Sequence, residues 1–283
     1  MNKTRELGRR LELPRALWAA LVLLAPPRAF ASESIYAGET VKTRAEYEGR
    51  VTAAEHPFTF LVDPSTPSAG VFEAGYAIGL GSGVSADRPI PVVLQNQGVS
   101  NAFSLGYGVT GWLEPVVNLD VTVNTTTQQT TLNGFAGAKF QLTHPDSPWR
   151  AAVLAGGLRE GWSNAWGAWM RASGSFSTGP FLAEANAYVE HVFAPGRDAV
   201  DYMGMLGVSY RVVPFLRVGA EYVGQDLEGL VDPEAEGGAR MGLGPDLALD
   251  IDHGRFQVVV AALFGLNAIS PTAVVRAGLV GSF

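Results

Sequence analysis

The chain has 283 residues, no cysteine, 34 glycines and a formal charge of −7. The lack of cysteine excludes disulfides, thiolate nucleophiles, cysteine-ligated zinc and lipidation of a signal-peptide cysteine, so stability must come from burial or from a closed hydrogen-bonded sheet. An acidic chain is also a poor match for nucleic acid, which is bound by basic surfaces.

The first predicted element is a signal peptide over residues 1–31. Lys3, Arg5, Arg9, Arg10 and Arg15 form a basic stretch ahead of the apolar run Ala16–Ala25, and Ala29-Phe30-Ala31 offers small residues for cleavage after Ala31. The apolar run is too short to span a bilayer, which takes about 20 residues. Arg9-Arg10 hints at a twin-arginine signal, but Leu11-Glu12-Leu13 departs from that motif, and ordinary secretion fits better. Cleavage removes six basic residues (those five and Arg28) and two acidic ones (Glu6 and Glu12), moving the formal charge from −7 to about −11.

Residues 32–68 do not alternate. Their mixed charges (Glu33, Glu39, Lys42, Arg44, Glu46, Glu48, Arg50) and Pro57, Pro64 and Pro67 predict an extension ahead of the main domain. It is either without fixed structure in the periplasm or folded inward as a partial plug.

Residues 69–283 alternate with period two, the mark of strands with one apolar and one polar face. Phe256, Val258, Val260, Ala262 and Phe264 oppose Arg255, Gln257, Val259, Ala261 and Leu263; Phe181, Ala183, Ala185, Ala187 and Val189 oppose Glu184, Asn186, Tyr188 and Glu190. The pattern predicts about twelve strands, near 69–81, 101–112, 116–125, 131–143, 149–160, 165–177, 180–193, 200–212, 215–226, 239–251, 255–266 and 272–283. An even count suits a barrel with both termini on one side. Every second connection is short and carries Pro, Gly or Asp, as in Val213-Pro214 and Asp252-His253-Gly254, whereas both long loops, 82–100 and 226–238, fall in the alternate set. Transmembrane barrels segregate their loops in this way. Trp112, Trp149, Trp162, Trp166, Tyr202, Tyr222 and Phe283 sit near strand ends, where aromatic girdles form.

The last strand ends on Phe283, on the face of Leu279, Ala277, Val275 and Ala273. With strand–turn–strand phrases such as 105–114 and 210–222, this ending resembles the Gram-negative outer-membrane β-barrels of the porin-like or small-transporter kind. The resemblance covers about three quarters of the chain; Gly281 departs from it, standing where those proteins usually carry a bulky apolar residue. It implies an all-β fold, a single antiparallel transmembrane barrel of about twelve strands. It also implies outer-membrane lipid as surroundings and recognition of the C-terminal strand, with Phe283 as assembly signal, by the barrel-assembly machinery.

Charged side chains at mid-strand cannot face lipid cheaply. By parity Glu73, Asp120, Lys139, Arg171, Glu184, Glu190, Arg211, Arg217, Glu221, Asp246, Asp250, Arg255 and Arg276 are expected to line the lumen. They either border a water-filled pore or form a salt-bridge ladder in a closed lumen, and small inner residues (Gly137, Gly219, Ala248, Ala261, Gly278) favour the pore. About twelve strands lies between barrels filled by side chains and barrels with a channel. Catalysis finds little support. Of His56, His144, His191 and His253, only His191 lies near an outer strand end, and no Gly-Xaa-Ser-Xaa-Gly, His-Glu-Xaa-Xaa-His or phosphate-binding glycine loop is present. The Asp246 and Asp250 pair, which could mimic a hydrolase dyad, is an equally good pair of lumen groups. No cofactor is expected. The acidic loop (Asp226, Glu228, Asp232, Glu234, Glu236) lacks the order of a committed calcium site and reads as a solvated loop. The expected function is passive passage of small polar solutes or ions, with a closed structural or adhesive barrel as the alternative and an outer-membrane hydrolase third.

Overall fold

The computed structural model describes residues 56–83, 94, 98–161, 163–195, 200–230, 238–252 and 254–283. The signal peptide and residues 32–55 lie outside the described residues, as do Trp162, His253 and most of both long loops. Twelve strands form one closed antiparallel sheet in which each pairs with its sequence neighbours and the first with the last. They are β1 (Phe72–Ser82), β2 (Gly98–Tyr107), β3 (Leu113–Asn124), β4 (Thr130–Gln141), β5 (Trp149–Glu160), β6 (Ala165–Thr178), β7 (Phe181–Val192), β8 (Asp201–Val213), β9 (Leu216–Gln225), β10 (Arg240–Ile251), β11 (Phe256–Gly265) and β12 (Ala273–Ser282). A 3-10 turn, Leu227–Leu230, follows β9.

Alternation decides which way each strand faces. Leu80, Phe103, Leu119, Leu132, Leu206, Val218, Leu247 and Leu279 are exposed on the outer wall, while Glu73, Lys139, Glu184, Arg217, Glu221 and Asp246 are buried inside. A soluble protein does not present so continuous an apolar surface. At the end carrying the short turns the belt is edged with ring pairs: Trp112 with Phe140, Trp149 with Phe176 and Phe256 with Phe283. Amphipathic and aromatic rings are stable at headgroup depth.

The seam between β1 and β12 closes the sheet. Its ladder runs from Glu73 opposite Ser282 to Ser82 opposite Ala273. It is completed by two further main-chain bonds: Phe72 N–H donates to the Phe283 carbonyl (3.0 Å), and Phe283 N–H donates to the Phe72 carbonyl (2.8 Å). The terminal residue therefore holds the barrel shut by its backbone, and its ring rests on Phe256.

Most strands begin and end within a residue or two of the expected positions. β1 begins three residues late, at Phe72, and β2 departs most. It was expected over 101–112 and ends at Tyr107. The cause lies inside the barrel. The chain leading into β1 crosses Gly108 so closely that a Cβ there would strike the Ser68 carbonyl. Gly108 exchanges main-chain bonds with Gly70 (2.7 Å) and Val71 (2.9 Å) and no longer extends the β2–β3 ladder. Residues 108–112 then form the turn, and β3 starts earlier than expected, at Leu113. The stretch 149–177, whose alternation is the least regular in sequence, is fully laddered in β5 and β6.

Removal of Phe283 takes away both terminal seam bonds and the ring contact with Phe256. In detergent, the truncated mature protein is expected to lose the fast-migrating folded band on unboiled gels, while Phe283→Leu, which keeps the backbone pair, retains it. Equal heat-modifiability of the truncated and complete chains would contradict this role for the seam.

Candidate functional site

The lumen is occupied by the chain that precedes β1. Residues 57–67 are almost entirely buried against the inner wall. Three prolines (Pro57, Pro64 and Pro67) lie under 2% exposed and keep the segment extended rather than helical. In a segment this buried, every peptide N–H needs an acceptor. The wall supplies acceptors for Thr59, Phe60, Val62 and Thr66 from its polar side chains, and Asp63 accepts from Ser65 N–H within the segment (2.8 Å). Glu221 on β9 accepts from Thr59 N–H (2.8 Å), from the Thr59 hydroxyl (3.2 Å) and from Phe60 N–H (2.9 Å). Asn186 on β7 accepts from Val62 N–H (2.7 Å) and donates to the Val62 carbonyl (3.2 Å), which the Ser173 hydroxyl on β6 also meets. Gln141 on β4 accepts from Thr66 N–H (2.8 Å), Arg150 on β5 donates to the Ser65 hydroxyl (2.9 Å), and Thr66 donates to the Gly111 carbonyl (2.7 Å).

Apolar contacts complete the seating. Phe58, Phe60 and Leu61 join a buried cluster with Leu182, Met205, Val223, Ala261, Leu263 and Val274. Phe58 lies so close to β8 that a Cβ at Gly207 would stand 2.7 Å from its ring. Leu94, from the long loop between β1 and β2, enters the same cluster and donates its N–H to Gln225 (3.1 Å). The lumen is therefore packed around Met205, Val223 and Leu263.

Between the segment and the remaining wall lies a cavity of about 320 Å³. Glu73, Asp120, Lys139, Arg171, Glu190 and Arg276 line it, together with His56, Glu114 and the rings of Phe135, Trp169 and Tyr188. Most of the charges are paired. Lys139 meets Glu114 at 2.6 Å and donates to the Asp63 carbonyl at 3.5 Å. Glu73 faces His56 Nε2 at 3.4 Å and accepts from the Ser282 hydroxyl at 3.2 Å. Asp120 accepts from Thr122, and Glu190 from the Tyr188 hydroxyl. Arg171 and Arg276 are different. Their guanidinium groups lie over the rings of Tyr188 (5.2 Å) and Phe60 (5.3 Å), and the Nε of each is buried without an acceptor.

The remaining predicted residues lie elsewhere. Glu184 is buried and accepts weakly from Asn186 (3.5 Å), while both carboxylate oxygens of the buried Asp246 lack a hydrogen-bond donor. Arg217 donates to the Pro180 carbonyl, Asp250 accepts from Gln257, and Arg211 sits near the short-turn end of β8. Arg255 is not on a strand. It lies exposed in the turn before β11, over the rings of Phe256 and Phe283, donating to the Ser282 carbonyl. A turn residue is not bound by strand parity, so its side chain follows the aromatic rim.

Several residues of the site went unmarked in sequence. Glu114 falls between the strands expected at 101–112 and 116–125, Tyr188 falls on the polar face of its strand, and His56 precedes the strands. Parity alone was enough to find Tyr188, once the strand was known to enclose a lumen.

His56 lies outside the strands, and its pKa is raised. Burial opposes the charged ring, but the charge and hydrogen bond of Glu73 and the charge of Asp63 outweigh it, with Lys139 working against them. Protonated His56 thus holds the segment in place. That contribution is complete below the unfolded pKa of about 6.5 and fades as pH rises through the higher folded value.

No family model matches the chain, and no curated protein matches it in sequence. Its fold is found among solved structures. An outer membrane channel from Pseudomonas putida F1 superposes with a TM-score of 0.53 at 13% identity, over 77% of this chain and 97% of that one. The KdgM porin superposes with a TM-score of 0.50 at 10% identity, over 75% of this chain and 99% of that one. The fold is shared with these outer-membrane β-barrels, and the apolar outer wall with its aromatic rim is that of a barrel seated in a membrane.

Two outcomes follow from the seating bonds. Glu221→Ala removes the acceptor of two buried N–H groups, at about 1.5–3 kcal/mol for a hydrogen bond to a charged group. Hydrogen exchange of the Thr59 and Phe60 amides should accelerate at least tenfold, with β4–β6 unchanged; unchanged exchange at both amides would refute the clasp. Protection of the same amides, corrected for intrinsic exchange, should be greater at pH 6 than at pH 9, and His56→Gln should abolish the difference.

Proposed function

We propose that the protein is a passive outer-membrane channel for small polar solutes or ions, narrowed in its resting form by the lumen segment that precedes β1. The observation that carries this reading is the way the segment is held. It belongs to no ladder of the sheet, and wall side chains, not the main chain of a strand, receive the N–H groups of Thr59, Phe60, Val62 and Thr66. Such a segment can leave without opening the barrel. Glu221, Asn186, Ser173 and Gln141 would then border a wet passage continuous with the cavity lined by Asp120, Arg171 and Arg276. The likeness to channel proteins supports the same reading at the level of the fold. The paired strand ends Gly81 and Gly98, and Gln225 and Arg240, lie opposite the short turns, and the long connections they carry, 82–100 and 226–238, would tune entry.

The competing reading is a closed barrel acting through its loops. The packed cluster around Leu94, Val223 and Leu263 favours it, since that side of the lumen has no room for solute. A hydrolase is the weakest reading. His191, its one histidine candidate, lies on the outward parity of β7 with its ring against Phe193 (4.9 Å), while exposed His144 stands in a turn beside Asp146. We also assign recognition by the barrel-assembly machinery to the C-terminal strand and Phe283.

Planar-bilayer recordings separate the first two readings. The complete mature protein is expected to give small or rare open steps, and deletion of residues 32–68 to enlarge single-channel conductance at least threefold. Gly207→Val, which displaces Phe58, should act in the same direction. Silent bilayers from the deletion variant, with a folded band retained on gels, would favour the closed barrel.

A further inference from the structure

We propose that Arg171 and Arg276 form a binding site for a small organic anion with an apolar body, a monocarboxylate being the simplest. The argument begins with unequal pairing in the cavity. Every acidic group on its wall has a partner: Glu73 has His56 and Ser282, Glu114 has Lys139, Asp120 has Thr122, and Glu190 has Tyr188. The two arginines have no carboxylate within ion-pair distance among the described residues, and each buries an Nε that donates to nothing. A half-buried guanidinium held only by a ring face retains donors in a fixed planar fork, a geometry that fits carboxylate. The two arginines are therefore the charged groups of the cavity whose donors are least satisfied.

Shape and polarity narrow the ligand further. Arg171 on β6 and Arg276 on β12 project from different sides of the barrel into one cavity. Apolar side chains make up much of the lining they share: Phe60 from the segment, with Leu154, Trp169 and Val259 from the wall. A fully hydrated ion such as chloride or phosphate gains little from such walls. An amphipathic anion meets the arginines with its head and the rings with its body. About 320 Å³ is at the lower end of the range for small-molecule sites, so the ligand is of single-ring size. Phe60 ties the site to the lumen segment, because the ring under Arg276 leaves when the segment leaves.

This site deepens the channel reading and rests on it for transport, but binding can be measured without conductance. The probe is benzoate, titrated by calorimetry into the complete mature protein folded in detergent, beside benzyl alcohol and benzylamine of nearly the same shape. Saturable benzoate binding is expected, at least tenfold tighter than that of either analogue. It should weaken at least tenfold in Arg171→Gln and in Arg276→Gln, each shown to be folded by gel mobility. Equal binding of the three probes to the unaltered protein would overturn the proposal without recourse to any variant, as would unchanged affinity in both folded variants. Benzoate preference with silent bilayers would leave the site standing and defeat the channel, whereas conductance without benzoate preference would do the reverse.

Discussion

Everything in this structure depends on closing the sheet. Hydrocarbon offers no partner for a peptide group, so a strand at the membrane must be paired on both edges. The β1–β12 ladder, extended by the reciprocal bonds of Phe72 and Phe283, removes the last free edges. Closure then fixes the rest. It gives every strand an inside and an outside, and it sends Leu119, Val218 and Leu279 to lipid. It also forces Lys139, Glu184, Glu221 and Asp246 into an enclosed space, where each must find partners.

That enclosed space explains the segment before β1. A twelve-stranded wall is too wide for its own side chains to fill, and the inner glycines and alanines leave it wider still. Phe58, Phe60 and Leu61 fill one side, and the peptide groups they carry are met by wall acids and amides. The packing is uneven, dense around Met205, Val223 and Leu263 and open at the cavity. The open side is the one where two arginines lack counterions. A water-exposed lumen tolerates them, because solvent reaches half-buried guanidinium groups that a dry core would have to neutralise.

The strands were legible because period-two alternation is a local signal, repeated twelve times with few exceptions. Even the less regular β5 and β6 were placed to within a residue. The end of β2 was not, because its cause is non-local: the approach of Ser68 to Gly108 depends on where residues 57–67 lie, and nothing near Gly108 encodes that. Arg255 was misassigned for a related reason, since parity was carried one residue beyond the strand. Parity identified which charges face inward, but not which of them meet. Glu114 and Lys139 pair across β3 and β4 through register, while Arg171 and Arg276 share a cavity through the curvature of the whole barrel. Pairing across a lumen is a property of closure, and a linear sequence does not display it.

The manner of seating also bears on how firmly the lumen is occupied. A segment paired as a strand would exchange ladder bonds for unsatisfied edges on leaving, a cost of several kcal/mol per exposed group in a dry setting. This segment exchanges its bonds to Glu221, Asn186 and Gln141 for bonds to water, and such an exchange is worth about 0.5–1.5 kcal/mol for the neutral amides and about 1.5–3 kcal/mol for Glu221. Burial of Phe58, Phe60 and Leu61 contributes about 1.5–3 kcal/mol per side chain. It is opposed by about 1–2 kcal/mol of backbone entropy for each residue held in place. Terms of opposite sign and similar size leave the balance to a few specific contacts. Glu221, which receives two adjacent N–H groups, and the His56–Glu73 pair, whose strength follows pH, are the contacts positioned to decide it. The barrel itself has no such balance, because its main chain is satisfied within the wall. Occupation of the lumen can therefore change while the membrane structure stays as it is.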